Sequence, residues 1–328
     1  MKQFLTFGRT LAAALALTAV MPALAQTAAA PWPTRPVRMV VPIGPGSAPD
    51  IIARIVGEKL GAMWGQTVIV DNRPGASGMI AMDNVRNSTA DGYSLVFANG
   101  SAVVVTPYTF LSAKYDAERD FDSLAVVAYT PMGIVANIDV PAASLADALR
   151  LAKESPDKFA VGNPGRTTFP HLAMELLGQQ TGAKFLNVPF ANSGPGLQAT
   201  IKGDTAYYID GVAPLLQMIR ANRVKPIAVF ADQVLPGLEG IPLAKDTVPG
   251  LTVLGWFAIM APAGLPKPIA TRINEDVNRV LAMPDVVAKL REFGTYPKPG
   301  NLAAASAFVH GEKTMWMRVL KQANIHPQ

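Results

Sequence analysis

The chain has 328 residues, with 29 Lys and Arg against 24 Asp and Glu, three histidines and no cysteine. Without cysteine there can be no disulfide, thiolate metal site, thiol nucleophile or lipid anchor on an N-terminal cysteine. The formal charge of +5 is spread over single Lys and Arg residues rather than runs, which argues against nucleic acid or a polybasic membrane patch as partner.

Lys2 and Arg9 precede an apolar run over residues 11–20, and Ala23-Leu24-Ala25 supplies a small-residue cleavage site, so residues 1–25 read as a secretory signal peptide. The run is too short to span a bilayer, and no later stretch reaches about 18 uninterrupted apolar residues. The expectation is an exported chain in the periplasm. Removing 25 of 328 residues leaves 303, enough for two domains at roughly 100 to 200 residues each.

In chain order, residues 37–41 form a short β-branched strand, broken by Pro42, Gly44, Pro45 and Gly46. Ser47 to Asp50 then has capping-box spacing, predicting that Ser47 accepts from the Asp50 amide while Asp50 reaches back. A helix N-terminus at the end of a buried strand is a ready cradle for an anion. A helix over 50–63 follows, with Ile52, Ile55, Val56, Leu60 and Met63 on one stripe. Next come a strand over 67–70, an irregular loop over 71–78, a helix over 79–87, and a strand over 93–97 that runs into a small-residue loop over 98–102. Strands are predicted over 124–128 and 133–136, then a helix over 144–155 opened by a second capping box.

The alternation restarts with a strand over 159–162, a loop over 163–170, a helix over 171–181 and a strand over 185–188. A loop over 190–196 leads to a helix over 197–202, a strand over 206–210, a helix over 214–221 and a strand over 224–230. Residues 232–250 read as surface loop and 251–261 as strand. Helices over 267–283, stopped by Pro284, then 286–293 and 303–321 close the chain. Two successive runs of strand, small-residue loop and helix point to two α/β lobes, with crossovers near 125–136 and 251–261.

Gly44-Pro45-Gly46 between strand and helix, with Asp71 after the next strand, approaches a dinucleotide fingerprint, but Pro49 occupies the third glycine position and removes an amide. There is no Walker loop, no G-x-S-x-G and no H-E-x-x-H, and His171, His310 and His326 have no partner at catalytic or metal-ligand spacing. No catalytic residue, metal or cofactor is expected. What remains is a set of loops rich in amides and hydroxyls, which suits the binding of a carboxylate.

The runs WPTRP (32–36), VRMVVPIGPG (37–46), DNRPGASG (71–78) and ADGY (90–93) resemble the periplasmic substrate-binding receptors of tripartite tricarboxylate transporters, the Bug or TctC-like family. So do Tyr115-Asp116, Asp120-Phe121, VPFANSGP (188–195) and WFAIMAPAGLP (256–266). The resemblance implies an α/β, two-lobed periplasmic-binding-protein fold of the type II, Venus-flytrap kind, each lobe a mixed sheet flanked by helices. With it go a signal peptide at 1–25, a first lobe from 26–128 plus 251–328, and a second lobe from 129–250. The implied function is solute capture of a small organic carboxylate for integral membrane transporter subunits, by a monomer that is not an enzyme and binds no nucleic acid.

Carried over by position, the ligand-binding residues are Ile43, Gly46, Ser47, Ala48 and Asp50 in the first loop and Asn99 and Ser101 in the second. The second lobe supplies Arg166, Thr167, Thr168, Phe169 and His171, with Phe190 where Tyr is usual and Asp210 after a strand. Phe169 and Pro170 stand where relatives often have small polar residues, which suggests a more apolar wall and an aromatic dicarboxylate such as terephthalate. The alternative is a ligand-sensing periplasmic partner of a two-component signalling system.

Overall fold

The computed structural model describes residues 32–156 and 158–327, so the signal peptide expected at 1–25 lies outside the described residues. The first strand, β1 (Val37–Val41), runs into α1 (Ala48–Trp64), where Ile52, Val56 and Leu60 of the predicted stripe are buried, Ile55 and Met63 are half-buried, and Trp64 is buried in addition. Gly65 ends the helix at φ 63°, the left-handed turn that a glycine takes without strain. Gly57 and Gly61 let α1 lie close on β2 (Val68–Asn72), since a Cβ on Gly57 would meet Val68 Cγ1 at 3.1 Å. A 3-10 turn at Ala76–Gly78 leads to α2 (Met79–Arg86) and β3 (Ser94–Asn99). The stretch 98–102, expected to be loop, is in part helical: α3 (Gly100–Val104) follows β3 directly, with α4 (Thr106–Thr109) behind it.

The two strands expected over 124–128 and 133–136 are a single 16-residue strand, β4 (Phe121–Ala136). Pro131 and Gly133 mark a change of partners instead of a break. Up to Pro131, β4 pairs with β9 (Leu254–Pro262); from Met132 onward it pairs with β7 (Tyr207–Gly211) and β8 (Lys225–Val229). Proline lacks an N–H and so suits the point where the ladder is handed over. Gly133 leaves room there for Val212 and Leu215 of α8 (Val212–Arg220), each 3.1 Å from where a Cβ would sit.

After β4 come α5 (Leu145–Glu154), β5 (Ala160–Asn163), α6 (Phe169–Thr181), β6 (Leu186–Pro189) and α7 (Ser193–Lys202). Within the expected surface loop lies α9 (Ala244–Thr247). Beyond β9, α10 (Lys267–Leu281) ends before Pro284, as expected, and Pro284 also opens α11 (Pro284–Glu292) at its first turn, where its missing N–H costs nothing. The two-residue strand β10 (Tyr296–Pro297) and α12 (Leu302–Gln322) complete the fold. No described helix is long and apolar enough to cross a membrane.

The sheet runs β2-β1-β3-β9-β4-β7-β5-β6, with β8 and β10 added on β4. β1 is parallel to β2 and β3, and β5 is parallel to β6 and β7, whereas β9 and β4 are antiparallel to their neighbours. The carboxyl ends of β1 and β3 therefore share one edge of the first stretch, and those of β5, β6 and β7 share one edge of the second. These are the places where open α/β sheets hold ligands.

Candidate functional site

The first loop, between β1 and α1, is braced by Asp50. Its buried carboxylate accepts from the Gly46 amide at 2.9 Å and from Asn72 Nδ2 at 2.9 Å, and pairs with Arg54 at 2.9 Å. Asn72 also donates to the Ile43 carbonyl at 2.9 Å and accepts from Arg54 at 3.0 Å. Burial pushes the Asp50 pKa up, but the bonds from Arg54, Gly46 and Asn72 outweigh it and hold the group below its ordinary value. The predicted capping box is not formed. Ser47 is the N-cap but makes no side-chain cap bond; its hydroxyl donates to the Gly44 carbonyl at 2.8 Å. Asp50 reaches one residue further back than the box requires because Asn72 and Arg54 claim its other oxygen. By contrast, Ser144 accepts from the Asp147 amide at 3.1 Å as predicted.

The loop after β2 packs beside it. Gly75 and Gly78 have φ of 127° and 91°, and a Cβ on Gly78 would lie 2.9 Å from Ala102 Cβ and 3.3 Å from Pro42 Cβ. The glycines of NRPGASG thus let the loops at 42, 78 and 102 touch. Ala48 N and Asp50 N lie in the first turn of α1, where no side chain caps them among the described residues. Asn99 is the N-cap of α3, also without a side-chain cap bond, and Ser101 is buried.

In the second stretch, Asn163 Oδ1 accepts from the Gly165 amide at 3.1 Å and its carbonyl from the Phe190 amide at 2.8 Å. Asn163 is wholly buried, and its Nδ2 has no partner among the described residues. Thr167 takes φ 56°, and Thr168, the N-cap of α6, donates to the Gly165 carbonyl at 2.8 Å instead of capping the helix. Arg166 is exposed. His171 Nε2 stands 3.7 Å from Glu175, its buried Nδ1 has no partner among the described residues, and burial lowers its pKa despite Glu175. The Phe190 ring packs over Gly162 and Gly196 beside Tyr208.

Asp210 lies within β7, inside the strand expected over 206–210. It accepts from Tyr208 Oη at 3.1 Å and the Gly211 amide at 2.7 Å, and burial lifts its pKa to about 6. No cluster of three or more His, Asp or Glu that could hold a metal occurs among the described residues.

The two loop sets meet at Ser101, whose hydroxyl accepts from the Phe169 amide at 3.0 Å. Phe169, expected on a pocket wall, is only 2 % exposed and stacks on Trp316 with ring centroids 4.4 Å apart. Pro170 is buried as well. The structure therefore brings residues 43–50 together with Asn72, joins Ser101 to Phe169, and sets Asp210 apart in a polar cluster with Tyr208. Asn72, Asn163 and Trp316 escaped the sequence reading; only Asn72 lay in a motif that had been singled out.

What these loops can do is present helix-start amides and a buried amide group to an acceptor, with Asp50 turned back to hold its own loop. Residues 52–325 match the family model described as tripartite tricarboxylate transporter family receptor. A UPF0065 protein of Bordetella bronchiseptica is 33 % identical, covering 97 % of this chain and 93 % of that protein. R. palustris Rpa4515, solved with adipate, is 31 % identical with a TM-score of 0.87, covering 90 % of this chain and 100 % of that one. MatC (Rpa3494) from Rhodopseudomonas palustris, solved with bound malate, is 26 % identical with a TM-score of 0.81, covering 88 % and 99 %. This chain belongs to the receptor family of the tripartite tricarboxylate transporters.

Proposed function

We propose that this chain is a periplasmic receptor that captures a small organic dicarboxylate and delivers it to integral membrane transporter subunits. The observation that carries the reading is the start of α1 after β1, where the Ala48 and Asp50 amides have no side-chain cap among the described residues, together with the start of α6 after β5, where Phe169 donates to Ser101, Pro170 has no N–H and the His171 amide remains. Free first-turn amides at α1 favour one negative group, and the His171 amide with the unpartnered Asn163 Nδ2 supplies donors for a second. Adipate in Rpa4515 and malate in MatC support the ligand class. Within it, we place an aliphatic dicarboxylate of adipate's length ahead of terephthalate. The two apolar residues that suggested an aromatic wall are buried, Phe169 against Trp316.

Thermal unfolding with a panel of malate, adipate, terephthalate and neutral solutes tests this. A ligand at a hundred times its Kd stabilises by about 2.7 kcal/mol, a rise of several degrees in Tm. A rise with a neutral solute and none with any carboxylate contradicts the proposal.

A further inference from the structure

Resting on the receptor reading, we propose that Phe169 is a positioning residue, a bolt that locks the start of α6 onto the first stretch of the sheet and so holds the ligand-binding loops together. Phe169 opens α6, which follows β5 in the second stretch, yet its ring and amide are engaged by residues of α3, β9 and α12. The socket is built on three sides. Gly100 forms its floor: a Cβ there would sit 2.5 Å from Phe169 Cε2 and 2.6 Å from Trp256 Cε2, so the ring fits only over a glycine. Trp316 forms one wall, stacked at an interplanar angle of 12°. Ser101 takes the amide of the same residue in a buried hydrogen bond at 3.0 Å.

The socket is itself held rigid. Trp256 and Trp316 both donate their indole N–H to Glu312 Oε2, at 2.8 and 3.2 Å, and both rings are 1 % exposed. A single carboxylate thus fixes the orientation of both indoles.

The consequence for binding is one of populations. A ligand that needs both loop sets binds with an apparent affinity scaled by the fraction of molecules in which they are already together. Seating the ring raises that fraction, and a ligand held this way should leave slowly, because escape requires the ring to withdraw. Phe169 acts here without touching the ligand.

The test uses the mature protein and its Phe169→Ala, Phe169→Leu, Ser101→Ala and Gly100→Ala variants, each checked for native circular dichroism. Two readouts are taken: small-angle scattering without ligand, and stopped-flow binding of malate, adipate and terephthalate in turn. Phe169→Ala and Gly100→Ala should enlarge the ligand-free radius of gyration and weaken binding by at least about tenfold, mostly through faster dissociation. Phe169→Leu should recover most of the loss, and Ser101→Ala should cost about fivefold, the worth of one hydrogen bond.

If the wild type binds and Phe169→Ala matches it in affinity, dissociation rate and radius, the bolt is wrong while the receptor reading stands. If no dicarboxylate binds the wild type, the receptor reading fails, and the ligand-free radius still decides the bolt: expansion in Phe169→Ala upholds it and an unchanged radius overturns it. Should Phe169→Ala not fold, Gly100→Ala and Ser101→Ala carry the same two readouts.

Discussion

The loop before α1 and the loop before α6 do comparable jobs by opposite means. The first is braced from within its own neighbourhood, by Asp50, Asn72 and Arg54 acting on Gly46 and Ile43. The second leans on distant parts of the chain, through Ser101 and Trp316, and leaves Asn163 Nδ2 and His171 Nδ1 without partners among the described residues. The difference suggests a division of labour. On our proposal the first loop is already in place before a ligand arrives, and the second is ordered by docking and keeps polar capacity in reserve, since buried polar atoms without partners are costly unless something else satisfies them.

The comparison can be broken most forcefully at Asp50. Replacing it with Ala leaves Asn72, Arg54 and the Gly46 amide without their shared acceptor, and urea unfolding should show a loss of about 3 kcal/mol together with at least tenfold weaker ligand binding. A loss below about 1 kcal/mol would mean that the first loop is not internally braced. Gly78→Ala comes next. It forces a side chain into φ 91° and a 2.9 Å approach to Ala102, so a cost of about 2 kcal/mol is expected by the same measurement.

Asp210 sharpens the picture of the second stretch through pH. Burial lifts its carboxyl from 3.8 to about 6, so the folded state holds a proton that the unfolded chain releases between those values. Stability should therefore fall as pH rises from about 4 to about 6, and the penalty should persist above that. Asp210→Asn should remove this dependence, about 3 kcal/mol in unfolding free energy measured from pH 4 to 8. A variant with the wild-type pH profile would assign the dependence to other groups.

The smallest effect belongs to Ser47. Because it makes no side-chain cap bond, Ser47→Ala should cost only a few tenths of a kcal/mol, against about 1 kcal/mol had the capping box formed. Calorimetric unfolding separates these values.

Where the sequence reading succeeded, the physics was local. The stripe of α1 and the box at Ser144 and Asp147 both follow from residues within a few positions of each other. It failed where a distant partner decides. Asp50 is drawn from the capping box by Asn72, 22 residues away, and that competition leaves no mark in local spacing. Pro131 and Gly133 look like a strand break, but β4 continues because β9 takes its first part and β7 and β8 its second.

At the site, the loops could be placed from their small residues, whereas the direction of each side chain could not. Phe169 looked like pocket wall because its position beside a ligand loop was visible and its partner Trp316, 147 residues on, was not. Asn163 carried no more signal than any Asn at a strand end. The division of 26–128 plus 251–328 from 129–250 remains our proposal for the lobes.

The most direct measurement is isothermal titration of the mature protein with the best binder among malate, adipate and terephthalate, set against the neutral diamide of the same acid. Recognition by helix-start amides predicts that the dicarboxylate binds at least about a hundredfold more tightly, since charge-assisted hydrogen bonds are roughly twice as strong as neutral ones. Equal affinity for the diamide would contradict the account at its centre.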